Sequence, residues 1–267
     1  MGENMEKAEV KIHSIIEDII NGKYITQFNE KATLYEVNSS GDKAPRKYEA
    51  DIVKQNGRTD NKVSEDILQK YFQDDEKLKL NTDIETVLIK VTLLNAFYRT
   101  AINNIHLVAV ARYIQSLDID SKLAIYGEEP NFELINEIAY MRENDYVKFP
   151  VKRRNGYNNE MNNLYSFATK YCAWHKPNIY PIADSYTKGV LYRIFHDNQG
   201  FRDFMKKREP ILIKITQEDL NDYKKYYCVC KGLKDYINTK YKQYGLLSFK
   251  NLDIFLWSYG VDNNIKI

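Results

Sequence analysis

The chain has 267 residues, 43% hydrophobic and 28% charged, enough for one sizeable domain or two closely packed lobes. Its net charge is only +2, so no global field drives it onto nucleic acid, and any polyanion site must come from local clustering. Three cysteines give no disulfide framework, no apolar run reaches the roughly 18 residues of a membrane span, and the first residues lack the pattern of a secretion signal.

With 22 tyrosines but only 11 glycines and 6 prolines, the composition favours a mainly α protein over a turn-rich β one. Residues 4–20 set Val10, Ile12, Ile15, Ile16, Ile19 and Ile20 on one helical stripe that Asn21-Gly22 ends. From 23 to 58 the periodicity breaks into short pieces around NSSGDKAPRK, which suits a small β-hairpin with a loop. Residues 1–60 are therefore expected to pack as a helix and hairpin region on a single helical unit, 61–267.

Ser64 opens a helix over 64–72, and Thr82-x-x-Glu85 reads as a capping box for a helix reaching about residue 100. That second helix is apolar nearly all round, so it is expected at the centre, with Asn95 and Arg99 as its polar exceptions. Asn95 reads either as a structural hydrogen bonder or, with Tyr98, as part of a binding face. Further helices are expected over 105–117 and 131–141. The stretch DYVKFPVKRRNGYNNEMNN then concentrates Lys148, Lys152, Arg153 and Arg154 in what reads as a loop.

The most informative stretch is 165–191, YSFATKYCAWHKPNIYPIADSYTKGVL. Helical spacing over 165–174 is followed by a loop that Pro177 and Pro181 hold extended, and Asp184 opens the next helix. A carboxylate there sits beside free backbone N–H groups and reads, on spacing alone, as a helix cap. Beyond it, helices are expected over 201–207, over the lysine-rich 217–241, and after Ser248, where Trp257 packs inward. Cys228-x-Cys230 lacks a second pair and the four histidines lack ligand spacing, so no metal or cofactor is expected.

Helix, proline-bounded loop and Asp resemble the catalytic segment of the helix-hairpin-helix DNA glycosylases, matched here by Pro181-Ile182-Ala183-Asp184. Residues 87–102, VLIKVTLLNAFYRTAI, resemble an early helix of the archaeal 8-oxoguanine glycosylase branch. The two motifs cover about a fifth of the chain. The resemblance implies a two-lobed helical fold in which Asp184 stabilises the reacting sugar or orients water. It implies a base pocket drawn from Asn95, Tyr98, Trp174, His175, Tyr180 and Tyr186. DNA contacts would come from Lys148, Arg153, Arg154, Lys170 and the hairpin position held by Asn162 and Asn163, which lacks the family's glycines. The family's Schiff-base lysine has no counterpart 18 to 20 residues before Asp184, although Lys152 falls in the range of the archaeal branch. The iron–sulfur cluster of some members has no cysteines to hold it.

These implications add up to a monofunctional enzyme, cytoplasmic and nucleoid-associated in a prokaryote, monomeric, and acting on double-stranded DNA with a modified base in repair or antiphage defence. Two other readings stay open: a DNA-binding or defence-associated protein that keeps the fold without the catalysis, and a helical protein-interaction module.

Overall fold

The computed structural model describes residues 35–37, 43–45, 63–74, 83–98, 100, 102–125, 127–141, 151–153, 156–158, 164–209, 214–240 and 247–267. The helix read over 4–20, the capping Thr82, and Lys148, Arg154, Asn162 and Asn163 lie outside them. The protein is mainly helical.

Helix α1 covers 63–69 and widens into a π-helical turn, Lys70–Asp74. There follow α2 (Ile84–Tyr98), α3 (Leu107–Ser116), α4 (Ile119–Ile125), α5 (Phe132–Tyr140), α6 (Tyr165–His175), α7 (Ser185–Asp197), α8 (Gln199–Arg208), α9 (Tyr223–Lys240) and α10 (Phe249–Asp262). Two short antiparallel hairpins accompany them. β1 (Tyr35–Val37) pairs with β2 (Lys43–Pro45) inside the 23–58 stretch, and β3 (Val151–Arg153) pairs with β4 (Gly156–Asn158). Lys152 and Arg153 thus lie on a strand rather than in a plain loop.

Capping chemistry sets most helix starts. Asn131 caps α5, Asn198 caps α8 and Ser248 caps α10, each accepting backbone N–H bonds from the first turn. At α2 the cap is Asp83, whose two carboxylate oxygens take the amide and hydroxyl of Thr86, so the helix starts later than the Thr82 reading implies. At α9, Asp222 takes the amides of Lys224 and Lys225, and the preceding 217–222 stretch is a turn with one short 3₁₀ segment, Asp219–Asn221, rather than the start of the α-helix. Helix α4 has no counterpart in the sequence reading; Asp118, at φ 52°, makes the left-handed step that separates it from α3.

The centre of the molecule is α6, not α2. Every α6 residue except Ser166 is buried, whereas α2 leaves Ile89 and Phe97 exposed at 38% and 40%. The all-round apolarity of α2 misleads because its buried stripe, Thr86, Val87, Lys90, Val91 and Leu94, includes a lysine. Around α6 pack α2, α4, α5 and the π turn, while α7 lies against α10 and α8 against α9. The α7–α10 approach is close: a Cβ on Gly260 would stand 2.9 Å from the Tyr186 Cβ, so α10 is pressed onto the first turn of α7. No helix among the described residues is long and apolar enough to cross a membrane.

Candidate active site

From Pro181 to Asp184 the loop between α6 and α7 is held at every polar backbone atom. Tyr223 donates its hydroxyl to the Pro181 carbonyl at 2.9 Å, and Tyr226 does the same to Ile182 at 2.5 Å. Asp253 of α10 accepts the Ile182 amide at 2.9 Å, and Thr169 of α6 accepts that of Ala183 at 3.2 Å. A buried loop needs such partners because unpaired backbone groups are costly. The result is a rigid lead into Asp184.

Asp184 is the N-cap of α7. Its Oδ1 accepts the amides of Tyr186 and Thr187, both at 3.0 Å, and Thr187 Oγ1 accepts the Asp184 amide in return, closing a capping box. The capping role read from spacing is therefore filled, but by one oxygen only. Oδ2 faces Lys170 Nζ at 3.4 Å, and the Asp184 side chain keeps 15% of its surface while that of Lys170 keeps 4%. The helix N-terminus and the lysine thus both set positive charge beside this side chain.

Lys170 also donates to Ser166 Oγ at 2.6 Å and lies 5.7 Å from the centre of the Tyr98 ring. Burial pushes its ammonium pKa down, and the Asp184 charge restores part of the loss. Trp174 donates its indole N–H to Tyr98 Oη at 3.0 Å, with Lys250 Nζ 5.5 Å from its ring. Burial raises the Tyr98 phenol. Asp184, Lys170, Ser166, Tyr98 and Trp174 thus form one connected group: a partly accessible carboxylate, a desolvated amine and an aromatic wall.

Several expected site residues belong elsewhere. Lys170 is buried against Asp184, so it cannot reach phosphate from the surface. His175 faces the opposite way, with Nε2 3.1 Å from Asp120 and its ring against Phe72. Asp120 also takes Lys90 Nζ at 2.5 Å and Tyr171 Oη at 2.7 Å. Burial alone would raise this carboxyl, but His175 and Lys90 hold it at about 2. Tyr180, 1% exposed, uses its hydroxyl to accept the Asn131 amide at the start of α5 and presents no open face. Asn95 spends both ends of its amide on the turn after α2, bonding Thr100 and Ile102. Tyr186 contributes its backbone amide to Asp184.

Lys90, Asp120 and Asp253 had no place in the sequence reading. A signal was present for the first, since Lys90 repeats the Thr86 and Leu94 positions of the buried stripe. Asp253 likewise shares a face with Leu256 and Gly260 in an otherwise apolar run.

Residues 43–179, just over half of the chain, match the model of the HI_0787_N family, described as an N-terminal domain. The chain belongs to that family. The matched span of the HI_0787_N domain takes in Lys90, Asp120, Lys170 and His175 and ends before Asp184 and Asp253. A protein of Haemophilus influenzae, described as an uncharacterized protein, is 29% identical over 181 residues, which are 67% of this chain and 69% of the relative. No solved structure matches.

Proposed function

We propose that this chain is a DNA glycosylase of divergent helix-hairpin-helix type that flips out a modified or damaged base and hydrolyses its N-glycosidic bond. The observation that carries the reading is the division of labour within Asp184: one oxygen fixed by two backbone N–H groups, the other turned to a site edged by Tyr98 and Trp174. Cleavage of an N-glycosidic bond builds positive charge on the sugar, and a fixed, ionised carboxylate lowers that barrier without reorganising. A base in a stacked duplex is out of reach and must be extruded toward aromatic faces and a few polar groups. On this reading Asp184 stabilises the sugar and orients water, the partner is double-stranded DNA, and the setting is base-excision repair or antiphage defence in a prokaryotic cytoplasm.

Lysine chemistry offers a second reading. The burial of Lys170 raises its share of neutral amine, and its nearness to Asp184 favours it over Lys152 as the amine that would meet a sugar held there. An amine there would capture the sugar aldehyde and add strand cleavage to base release.

The test is incubation of the purified protein with duplexes carrying varied modified bases, and with phage genomic DNA, followed by alkali to reveal abasic sites. Asp184→Asn is the informative control, because Asn caps a helix about as well as Asp and the fold survives. Its expected effect is a rate loss of about 10²–10³-fold, the usual cost of one electrostatic contact to a developing charge. Strand breaks before alkali would favour the lysine reading. Salt-dependent DNA binding without abasic sites from any substrate would leave a non-catalytic DNA-binding protein.

A further inference from the structure

Asp253 is a buried carboxyl group near Asp184 for which the reaction above has no use. It projects from α10 toward the 181–184 loop and is 7% exposed. Its Oδ2 takes the Ile182 amide at 2.9 Å, while Oδ1 is buried with no hydrogen-bond partner among the described residues. An ionised carboxylate accepts at both oxygens, and leaving one of them dry and unpaired is among the costlier arrangements in a protein interior.

The charges around it sharpen the conflict. Among the described residues, Asp184 on the loop and Lys170 on α6 are the charged groups whose fields reach Asp253. Tyr98 on α2 and Tyr223, Tyr226 and Cys230 on α9 complete its titratable surroundings, and burial raises all four so that they stay neutral. Two carboxyl groups therefore share one lysine. Asp184 has that lysine, two amides and a helix N-terminus; Asp253 has one amide. Like charges in such a space do not both ionise, and the poorer site keeps the proton.

We propose that Asp253 is a positioning residue for Asp184: Oδ2 fixes the loop through Ile182, and the unpartnered Oδ1 carries a proton that leaves Asp184 as the single carboxylate facing Lys170. This deepens the glycosylase reading and rests on it for its catalytic consequence, but the proton on Oδ1 is a property of the resting protein. Burial acts in the same direction, pushing the Asp253 carboxyl well above its ordinary range, with the Asp184 charge adding to it. A raised carboxyl favours the folded state less as pH climbs past the ordinary value of 3.8, because the native form holds a proton that the unfolded chain releases.

Carboxyl infrared spectra and carboxyl-carbon NMR of aspartate-labelled wild type, each read at neutral pH, test the proton directly. The expected result is one protonated aspartate signal, lost in Asp253→Asn. That variant keeps the acceptor for Ile182 and copies the neutral acid, so it should unfold at a higher temperature than wild type at pH 7 and lose this advantage near pH 4, while Asp253→Ala unfolds lower at both. Should Asp253→Asn not fold, the wild-type titration alone decides: an aspartate still protonated at pH 7 supports the assignment. Absence of any such signal, or Asp253→Asn melting as low as Asp253→Ala at every pH, overturns it. Where abasic-site formation is measurable, its decline at alkaline pH should vanish in Asp253→Asn, and an unchanged profile overturns the positioning role. A wild type that forms no abasic sites defeats the glycosylase reading and leaves the spectroscopic result standing.

Discussion

Two buried lysine–aspartate pairs meet different faces of α6, and they are built differently. Lys90 and Asp120 meet at 2.5 Å with side-chain exposures of 0% and 1%, and Asp120 is further bonded by Tyr171 and His175. Lys170 and Asp184 meet at 3.4 Å with exposures of 4% and 15%, beside an Asp253 oxygen that lacks a partner. The first pair is closed: burial is extreme and the carboxylate is used on both oxygens. The second is looser, reachable from one side and surplus in acid. A closed network tolerates burial because every charge is answered, whereas an open one is where a ligand has something to change.

The largest effect should come from breaking the closed pair. Asp120→Asn leaves Lys90 charged at zero exposure and should cost about 3–5 kcal/mol in denaturant unfolding. A loss under about 1 kcal/mol would mean that His175 and Tyr171 reorganise around the lysine and that the network is not closed.

Acid titration sharpens the same contrast. The Asp120 carboxyl is held at about 2 against an ordinary 3.8, so its contribution is present above the ordinary value and lost as pH falls from about 4 toward 2. The amount at stake is on the order of 2 kcal/mol, and the wild type should converge with Asp120→Asn across that window.

The smallest stability effect belongs to the open pair. Lys170→Met should shift stability by no more than about 1 kcal/mol at pH 7, since removing a desolvated charge offsets the lost ion pair. Because burial lowers the Lys170 pKa, wild type should gain on this variant as pH rises toward 10.5. A loss of several kcal/mol would erase the distinction between the pairs.

How far all this could be read in advance divides along the same line. Asn131 and Ser248 announce their helices because a cap bonds amides two or three residues away, and Pro177 and Pro181 mark the loop after α6 for equally local reasons. Asp184 was legible as a cap and as a candidate carboxylate. Its lysine was not: Lys170 looked like a surface cation because the sequence does not say that α6 is buried on nearly every side. Lys90 meets Asp120 across 30 residues and Asp253 meets Ile182 across 71. Such partners come from how helices pack, and no spacing rule contains them. The same limit moved the centre of the molecule from α2 to α6, since apolar periodicity cannot show which of two apolar helices has neighbours on every side.

Trp174 gives the open side of α6 an optical handle. The chain contains two tryptophans; Trp257 sits half-buried on α10, while the Trp174 indole is hydrogen-bonded to Tyr98 with a lysine above its ring and Lys170 across the Tyr98 face. Indole emission depends on what stacks against the ring and on the charges beside it, so a Trp257→Phe protein would carry a single indole, buried beside Tyr98 and Lys250. Arrival of a planar ligand, or a change in the Lys170 charge, could then be followed in real time without labelling the protein.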